Sequence, residues 1–289
     1  MIIALDIGGT AIKGGLVSKE GFLKNKFVLT NYSTPMMAIF ELIEEFLSIE
    51  TRIEAIAVAT AGRVNIETGV VLYASPNIPN WTGTPIAKNL SERYKLPCFV
   101  LNDAQAAAFG EAKVRNIESL VMLTIGTGLG GGIVLNGKLI HGYNHEAGEI
   151  GHTILKPRGK LCNCGKRGCA ERYISMQVLH RYCRIENREE LIKKFQKKEA
   201  AVIEGLERMC EDLAVLIDKV FLMIDPQVVV IGGGFSELGP VVLEVLRKKI
   251  EPHSTKSLYK PSQIELSLLK NDAGIIGAAL YAEENLLRC

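Results

Sequence analysis

The 289-residue chain is 47% hydrophobic and 23% charged, enough to build the buried cores of two ordinary lobes and remain soluble. A formal net charge of +2 and an aromatic content of 6% offer neither the basic surface nor the stacking platforms that nucleic-acid binding requires. The longest apolar runs, such as Val228–Ile231, are strand-sized, so no membrane span or membrane partner is expected.

The chain opens in a strand, Met1–Asp6, that runs into Ile7-Gly8-Gly9-Thr10. Strands over Ile12–Val17 and Phe22–Thr30 follow, with Lys19-Glu20-Gly21 as the turn between them, so the start is a β-meander. Thr34-Pro35 predicts a capped helix start, and Thr84-Pro85 repeats the signal. Between them lie a buried strand, Ile53–Ala59, and a long loop through Ala74-Ser75-Pro76-Asn77 to Trp81. Cys98–Leu101 reads as a strand, and Asn102-Asp103 stands where it turns into the alanine-rich helix Ala104–Ala112.

The plan then repeats. Leu120–Ile125 is a strand ending in Gly126-Thr127-Gly128-Leu129-Gly130-Gly131-Gly132. Ile133–Leu135 continues as strand, Asn136-Gly137 is a hairpin signal, and Lys138–His141 returns. Apolar residues spaced by three and four predict a long helix over about 201–224. A buried strand, Val228–Ile231, leads into Gly232-Gly233-Gly234, a helix is expected over Ser236–Ile250, a strand over Ile264–Leu268, and a last helix over Ala273–Glu284. The charged stretch 184–198 reads as a solvated helix face. Two halves that each begin strand, glycine turn, strand, turn, strand give an α/β fold with mixed sheets and an internal duplication.

Between the repeat and the long helix lies H-x9-C-x-C-x4-C, formed by His152, Cys162, Cys164 and Cys169. Four soft ligands in one short segment suit tetrahedral structural zinc with no vacant position. Cys98, Cys183, Cys210 and Cys289 are scattered, which fits a reducing, cytoplasmic setting with one metal site and no disulfide framework. Glu149 and Glu171 flank the quartet and are candidates to face a polar substrate.

The turns Asp6–Thr10 and 126–132 occupy equivalent places in the two halves. Glycine there lets backbone N–H groups approach phosphate, and Asp6 is suited to hold magnesium or its waters. Gly126, Gly128 and Gly131 match the dinucleotide spacing G-x-G-x-x-G, but a strand follows where a helix would be needed. An ordinary hairpin accounts for either turn alone. The triplet 232–234 either starts a helix or lets an adenine lie against the backbone. Asp103, at a strand end, suits a catalytic base; the bland reading of the same position is a helix N-cap.

Asp6-Ile7-Gly8-Gly9-Thr10, Asn102-Asp103, the glycine loop 126–132, Glu149-Ile150-Gly151-His152 and Cys162-x-Cys164-Gly-x-x-Gly-Cys169-x-Glu171 together resemble the ROK family of bacterial sugar kinases and sugar-responsive repressors. The resemblance implies an actin-like (hexokinase/RNase H-like) ATPase fold of two lobes with ATP and sugar in the cleft between them. It implies a first lobe at 1–115 joined by a C-terminal helix 275–289, and a second at 116–274 with a zinc insertion about 145–172. Asp103 becomes the expected catalytic base. Asn77, Asn102, Glu149, His152 and Glu171 become the expected sugar ligands, with one His152 nitrogen on zinc and the other on the sugar. Asp6, Gly8, Gly9, Thr10, Lys13, Thr127, Gly128, Gly130, Gly131, Gly233 and Gly234 are the expected nucleotide contacts. Lys13, a lone lysine on a strand, is equally placed to face solvent. ATP, Mg2+ and structural Zn2+ are the implied cofactors, and a homodimer is the implied assembly.

Family repressors add an N-terminal helix-turn-helix, and the strand starting at Met1 leaves no room for one, so a kinase is expected over a sugar-sensing regulator. A zinc redox or adaptor protein would leave both glycine turns and Asp103 without a purpose. The loop 60–84 looks like that of N-acetylmannosamine kinases, while its Pro-Asn and Trp81 also suit glucokinases.

Overall fold

The computed structural model describes residues 1–8, 11–18, 21, 23–30, 34–75 and 78–287. Two compact units emerge, one of Met1–Asn116, Lys138–Ala147 and Asp272–Cys289, the other of Ile117–Gly137 and Gly148–Asn271. The segment 138–147, which the sequence places in the second lobe, clusters with the first unit. Buried Gln105 helps to hold it there, donating from Nε2 to the Ala147 carbonyl at 3.1 Å.

The first unit begins with the expected meander, β1 (Ile2–Ile7), β2 (Ala11–Val17) and β3 (Leu23–Thr30). Helix α1 (Pro35–Ile49) carries proline in its first turn, but Thr34 makes no side-chain cap. Proline's fixed φ sets that start without the hydroxyl. Strand β4 (Ala55–Thr60) is buried along its whole length. The loop expected after it contains a hairpin, β5 (Arg63–Asn65) and β6 (Val70–Tyr73), too short to show as an alternating pattern. Helix α2 (Ile86–Tyr94), strand β7 (Cys98–Asn102) and helix α3 (Asp103–Arg115) follow.

In the second unit, β8 (Leu120–Ile125) pairs antiparallel with β9 (Leu129–Leu135). Asn136 and Gly137, both at positive φ, make the hairpin turn into β10 (Lys138–Leu139), which opens the segment assigned to the first unit. Two short helices the periodicity did not separate, α4 (Met176–Cys183) and α5 (Arg188–Gln196), precede the long amphipathic α6 (Ala200–Ile224). Strand β11 (Val228–Gly232) is wholly buried. The helix expected from Ser236 starts later, as α7 (Val241–Ser254), because Gly239 at positive φ and Pro240 break the run. Strand β12 (Ile264–Leu266) completes this unit, and α8 (Ala273–Leu286) belongs to the first.

The first sheet has the order β3–β2–β1–β4–β7, with β1, β4 and β7 parallel. In the second unit the order β9–β8–β11–β12 repeats the β2–β1–β4–β7 part, with β8, β11 and β12 parallel. The duplicated plan is therefore a duplicated topology. Parallel strands covered on both faces lose hydrophobic alternation, which explains the unbroken apolar runs of β4 and β11.

Helix α8 packs on α3, β1 and β4. Gly277 makes the close approach possible, since a side chain there would collide with the Ala106 carbonyl on α3. On α3, Arg115 Nε donates to Glu111 Oε2 at 2.7 Å, with side-chain exposures of 6% and 0%. Removing one member of such a buried pair leaves the other charge uncompensated. Glu111→Ala is therefore expected to lower folding stability by about 3–5 kcal/mol in urea unfolding; a loss below about 1 kcal/mol, the range of an exposed pair, would contradict this account of α3.

Candidate active site

Register places the candidate residues of the first unit at one edge of its sheet. Ile7 stands opposite Thr60, and Thr60 opposite Asn102. The carboxyl ends of three parallel strands thus carry the Asp6–Gly8 turn, Ala61-Gly62 and Asn102-Asp103, the edge where open α/β sheets hold ligands. Gly8 N–H closes the turn on the Ala11 carbonyl at 3.0 Å. Gly9, Thr10 and Asn77 lie outside the described residues.

Asn102, not Asp103, is the N-cap of α3. Its Oδ1 accepts from the Ala104 and Gln105 N–H groups at 3.0 and 3.1 Å. Its Nδ2 donates to the Gly62 carbonyl at 2.9 Å, which leaves one amide hydrogen for any further partner. Asn102 thus also braces the two strand ends. Asp103, the first helical residue, accepts the Ala104 N–H on Oδ1 at 2.8 Å and is half-buried. With the cap supplied by its neighbour, its carboxylate is not the N-cap that starts the helix.

Asp6 lies 3.8 Å from the Lys13 ammonium, directly across the β1–β2 ladder. Lys13 therefore sits with Asp6 at the candidate edge. Burial pushes the Asp6 carboxyl above its ordinary value of 3.8; Lys13 and Lys26 oppose the shift and Asp272 adds to it. Lys26 in turn pairs with Asp272. The first turn of α8 reaches this group through Gly274, whose missing side chain would stand 3.1 Å from the Asp6 carboxyl carbon. Lys26, Asp272 and Gly274 were not singled out in the sequence, because sequence separation hides their approach to Asp6.

In the second unit, β9 starts at Leu129, so Gly130 and Gly131 are strand residues paired with Thr124 and Leu123. The loop is only Gly126-Thr127-Gly128, closed by the Gly126 N–H to Gly128 carbonyl bond at 3.0 Å, with Thr127 exposed at its tip. Packing explains the other glycines. A side chain at 131 would meet the Gly148 carbonyl at 2.5 Å, and one at 128 would meet Glu171 Oε2 at 2.8 Å. A side chain at 151 would meet the Leu129 carbonyl at 1.9 Å. The segment 148–151 is thus pressed directly on β9, backbone to backbone.

Gly126 also accepts the Met176 N–H at 2.9 Å, which ties this turn to the start of α4, capped by Ser175. Gly233, at positive φ, lies against the Ile125 backbone, and Gly234 lies near Met176 and Arg188. Arg188 is held by Glu237. Gly126, Gly233, Gly234 and Met176 therefore converge at the ends of β8 and β11. Ser175 is the sequence signal that could have located α4 and with it Met176.

The predicted quartet forms. One donor atom from each of His152, Cys162, Cys164 and Cys169 lies within 4.8 Å of the others. Cys164 and Cys169 sulfurs are 3.6 Å apart, and Cys162 Sγ lies 3.7 Å from His152 Nδ1. Zinc–sulfur bonds of ~2.3 Å in a tetrahedron place sulfurs ~3.8 Å apart, so the donor set and its spacing fit zinc. Burial works against ionisation of Cys164, yet the Lys166 N–H and hydrogen bonds from Cys162 and Cys169 bring its thiol below the ordinary value. With Nδ1 toward the sulfurs, His152 Nε2 faces outward and lies 3.8 Å from Glu149. Glu171 lies 3.9 Å from Nδ1 and accepts from the Cys162 thiol at 3.1 Å. Glu149, His152 and Glu171 thus meet at the rim of the quartet, beside Gly128.

The first unit thus carries two acidic groups at its strand ends, and the second carries an open glycine turn beside a carboxylate–histidine cluster. The ROK family model matches residues 2–285, and the chain belongs to the ROK family. It is 31% identical to the glucokinase of Thermotoga maritima, over 99% of this chain and 98% of that one. It is 31% identical to the N-acetylmannosamine kinase of Haemophilus influenzae, over 99% and 96%. A ROK family glucokinase from Streptomyces griseus, solved in complex with glucose and AMPPNP, superposes with a TM-score of 0.84 at 29% identity, covering 96% and 97%. The actin-like α/β architecture expected from the motifs is the fold observed.

Because the folded Asp6 value is raised, the stability tied to its protonated form is fully present below 3.8 and is lost as pH climbs through the folded value. Asp6→Asn, neutral throughout, should melt above the wild type at neutral pH without magnesium, with the gain vanishing toward 3.8. A variant less stable than wild type at neutral pH would overturn the burial argument. For the quartet, Cys164→Ala should abolish bound zinc by elemental analysis and lower the unfolding temperature. Zinc-finger peptides bind with ~10–16 kcal/mol of apparent free energy, and the net effect here is smaller because 148–151 is already packed on β9; undiminished zinc would exclude this site.

Proposed function

We propose that the protein is an ATP-dependent sugar kinase that transfers the γ-phosphoryl group to the 6-hydroxyl of a hexose or N-acetylhexosamine, with glucose and N-acetylmannosamine the leading substrates. The observation that carries this reading is the shared strand-end edge of Asp6, Gly8 and Asp103, with the cap role removed from Asp103 by Asn102. Relatives named glucokinase and N-acetylmannosamine kinase, matched over nearly the whole chain, support it.

In the proposed reaction the sugar hydroxyl gives its proton to Asp103 as its oxygen attacks the γ-phosphorus. The bond from that phosphorus to the β–γ bridging oxygen breaks, and ADP leaves. The Gly126–Gly128 turn offers the Thr127 and Gly128 N–H groups to the phosphates, with Lys13 beside Asp6 and Gly233-Gly234 against the base. Magnesium, when bound, supplies charge neutralisation on the triphosphate, and Asp6 is the carboxylate suited to hold it or its waters. Glu149 and Glu171 accept from sugar hydroxyls, His152 donates its Nε2–H to a sugar oxygen, and the cysteine-bearing loop fixes their spacing.

A carboxylate general base contributes ~10²–10⁴-fold. Asp103→Asn should therefore reduce kcat by about that factor, with ATP affinity nearly unchanged, in an ADP-release assay. The panel is glucose, N-acetylmannosamine, mannose, fructose and N-acetylglucosamine. Near-normal turnover by the variant would remove Asp103 from the role. No turnover by the wild type with any of these sugars would remove the kinase reading.

A further inference from the structure

The second unit contains a groove of about 590 Å³ that shares no residue with the glycine turns or the cysteine quartet. Its wall comes from three separate stretches: Lys160 in the loop between His152 and Cys162, the end of α4, and the first turns of α6. Four cations line it, Lys160, Arg181, Arg184 and Arg208, against one carboxylate, Glu204. Among the described residues, Arg181, Arg184 and Arg208 form no ion pair, and the nearby Asp212 is already taken by Lys156 at 2.8 Å.

Two of the four cations rest on aromatic rings. The Arg208 guanidinium lies 4.4 Å from the centre of the Tyr182 ring. Lys156 and Lys160 share the Tyr173 ring, at 4.7 and 5.1 Å. Arg184 ends α4 in the left-handed conformation, and Cys183 packs closely against Gly205 beneath the groove. Like charges gathered around a concavity repel one another, and a bound anion reverses the sign of that energy. Guanidinium forks match phosphate oxygens in geometry as well as charge.

We infer that this groove is a binding site for a small phosphorylated anion, separate from the nucleotide and sugar residues assigned above. Its volume falls in the small-molecule range of ~300–1,000 Å³. Glu204 interrupts the basic rim and the chain's net charge is only +2, which argues against a nucleic-acid track. Lys160 lies two residues before Cys162, so an anion bound here braces the segment that leads into the quartet's cysteines.

Pyrophosphate is the probe. Calorimetric titration without magnesium, at constant ionic strength set by sodium chloride, is run on the full-length wild type, Arg181→Gln/Arg184→Gln and Glu204→Gln. The arginine variant should bind at least ~10-fold more weakly, since one charge-assisted hydrogen bond exceeds the ~1.4 kcal/mol of a tenfold change. Glu204→Gln, which removes the opposing charge, should bind more tightly. All three side chains are exposed; circular dichroism melts establish that the variants fold. Any pyrophosphate held at the glycine turns is unaffected by these changes and appears as a component common to all three proteins. Identical titrations for the three proteins would overturn the site. So would tighter binding of a short RNA oligonucleotide than of pyrophosphate through the same arginines, which would make the groove a polymer contact.

Discussion

The candidate site of the second unit rests on one contact, the backbone of 148–151 pressed against β9. Side chains at 131 or 151 would collide with carbonyl oxygens, so two main chains approach to a distance that only glycine permits. This contact places Glu149 and His152 relative to the sheet. From the other end of the same insertion, Cys169 leads into Glu171, whose carboxylate rests over Gly128. The cysteine quartet then closes a loop whose two ends are already seated. The quartet's geometry and sheet packing constrain the same three polar side chains from opposite directions.

A different economy operates in the first unit. Its candidate groups stand where parallel strands end, and the strands end together because their registers align. Asn102 satisfies the orphan N–H groups of α3 and ties that start to Gly62. Asp103 is thereby released from a structural duty that a strand-to-helix junction ordinarily demands. Asp6 shows the opposite situation: its carboxylate is held where burial opposes its charge, and two lysines only partly offset this. A carboxylate kept ionisable against burial costs folding stability.

The glycine-rich stretch 126–132 illustrates how one composition can serve two purposes. Gly126 has no heavy atom within 4 Å of where a side chain would begin, and it lies at an open turn. Gly131, five residues on, is buried in a ladder against another segment. A pattern match to a phosphate fingerprint treats these positions alike. Their surroundings separate an open-turn glycine from a packing glycine.

Much was legible in the sequence because it was local. The spacing of His152, Cys162, Cys164 and Cys169 implied a metal quartet, and the repeated strand–glycine–strand plan implied the duplicated topology, since ligand chemistry and strand patterning act over a few residues. Only the tertiary structure decided which residue caps α3, because both Asn102 and Asp103 are competent caps and the Gly62 carbonyl, forty positions away, breaks the tie. It alone showed that Gly130 and Gly131 pair within a strand, that segment 138–147 joins the first unit, and that Gly274 reaches Asp6. Each of these depends on contacts between residues remote in the chain, about which composition and periodicity carry no information.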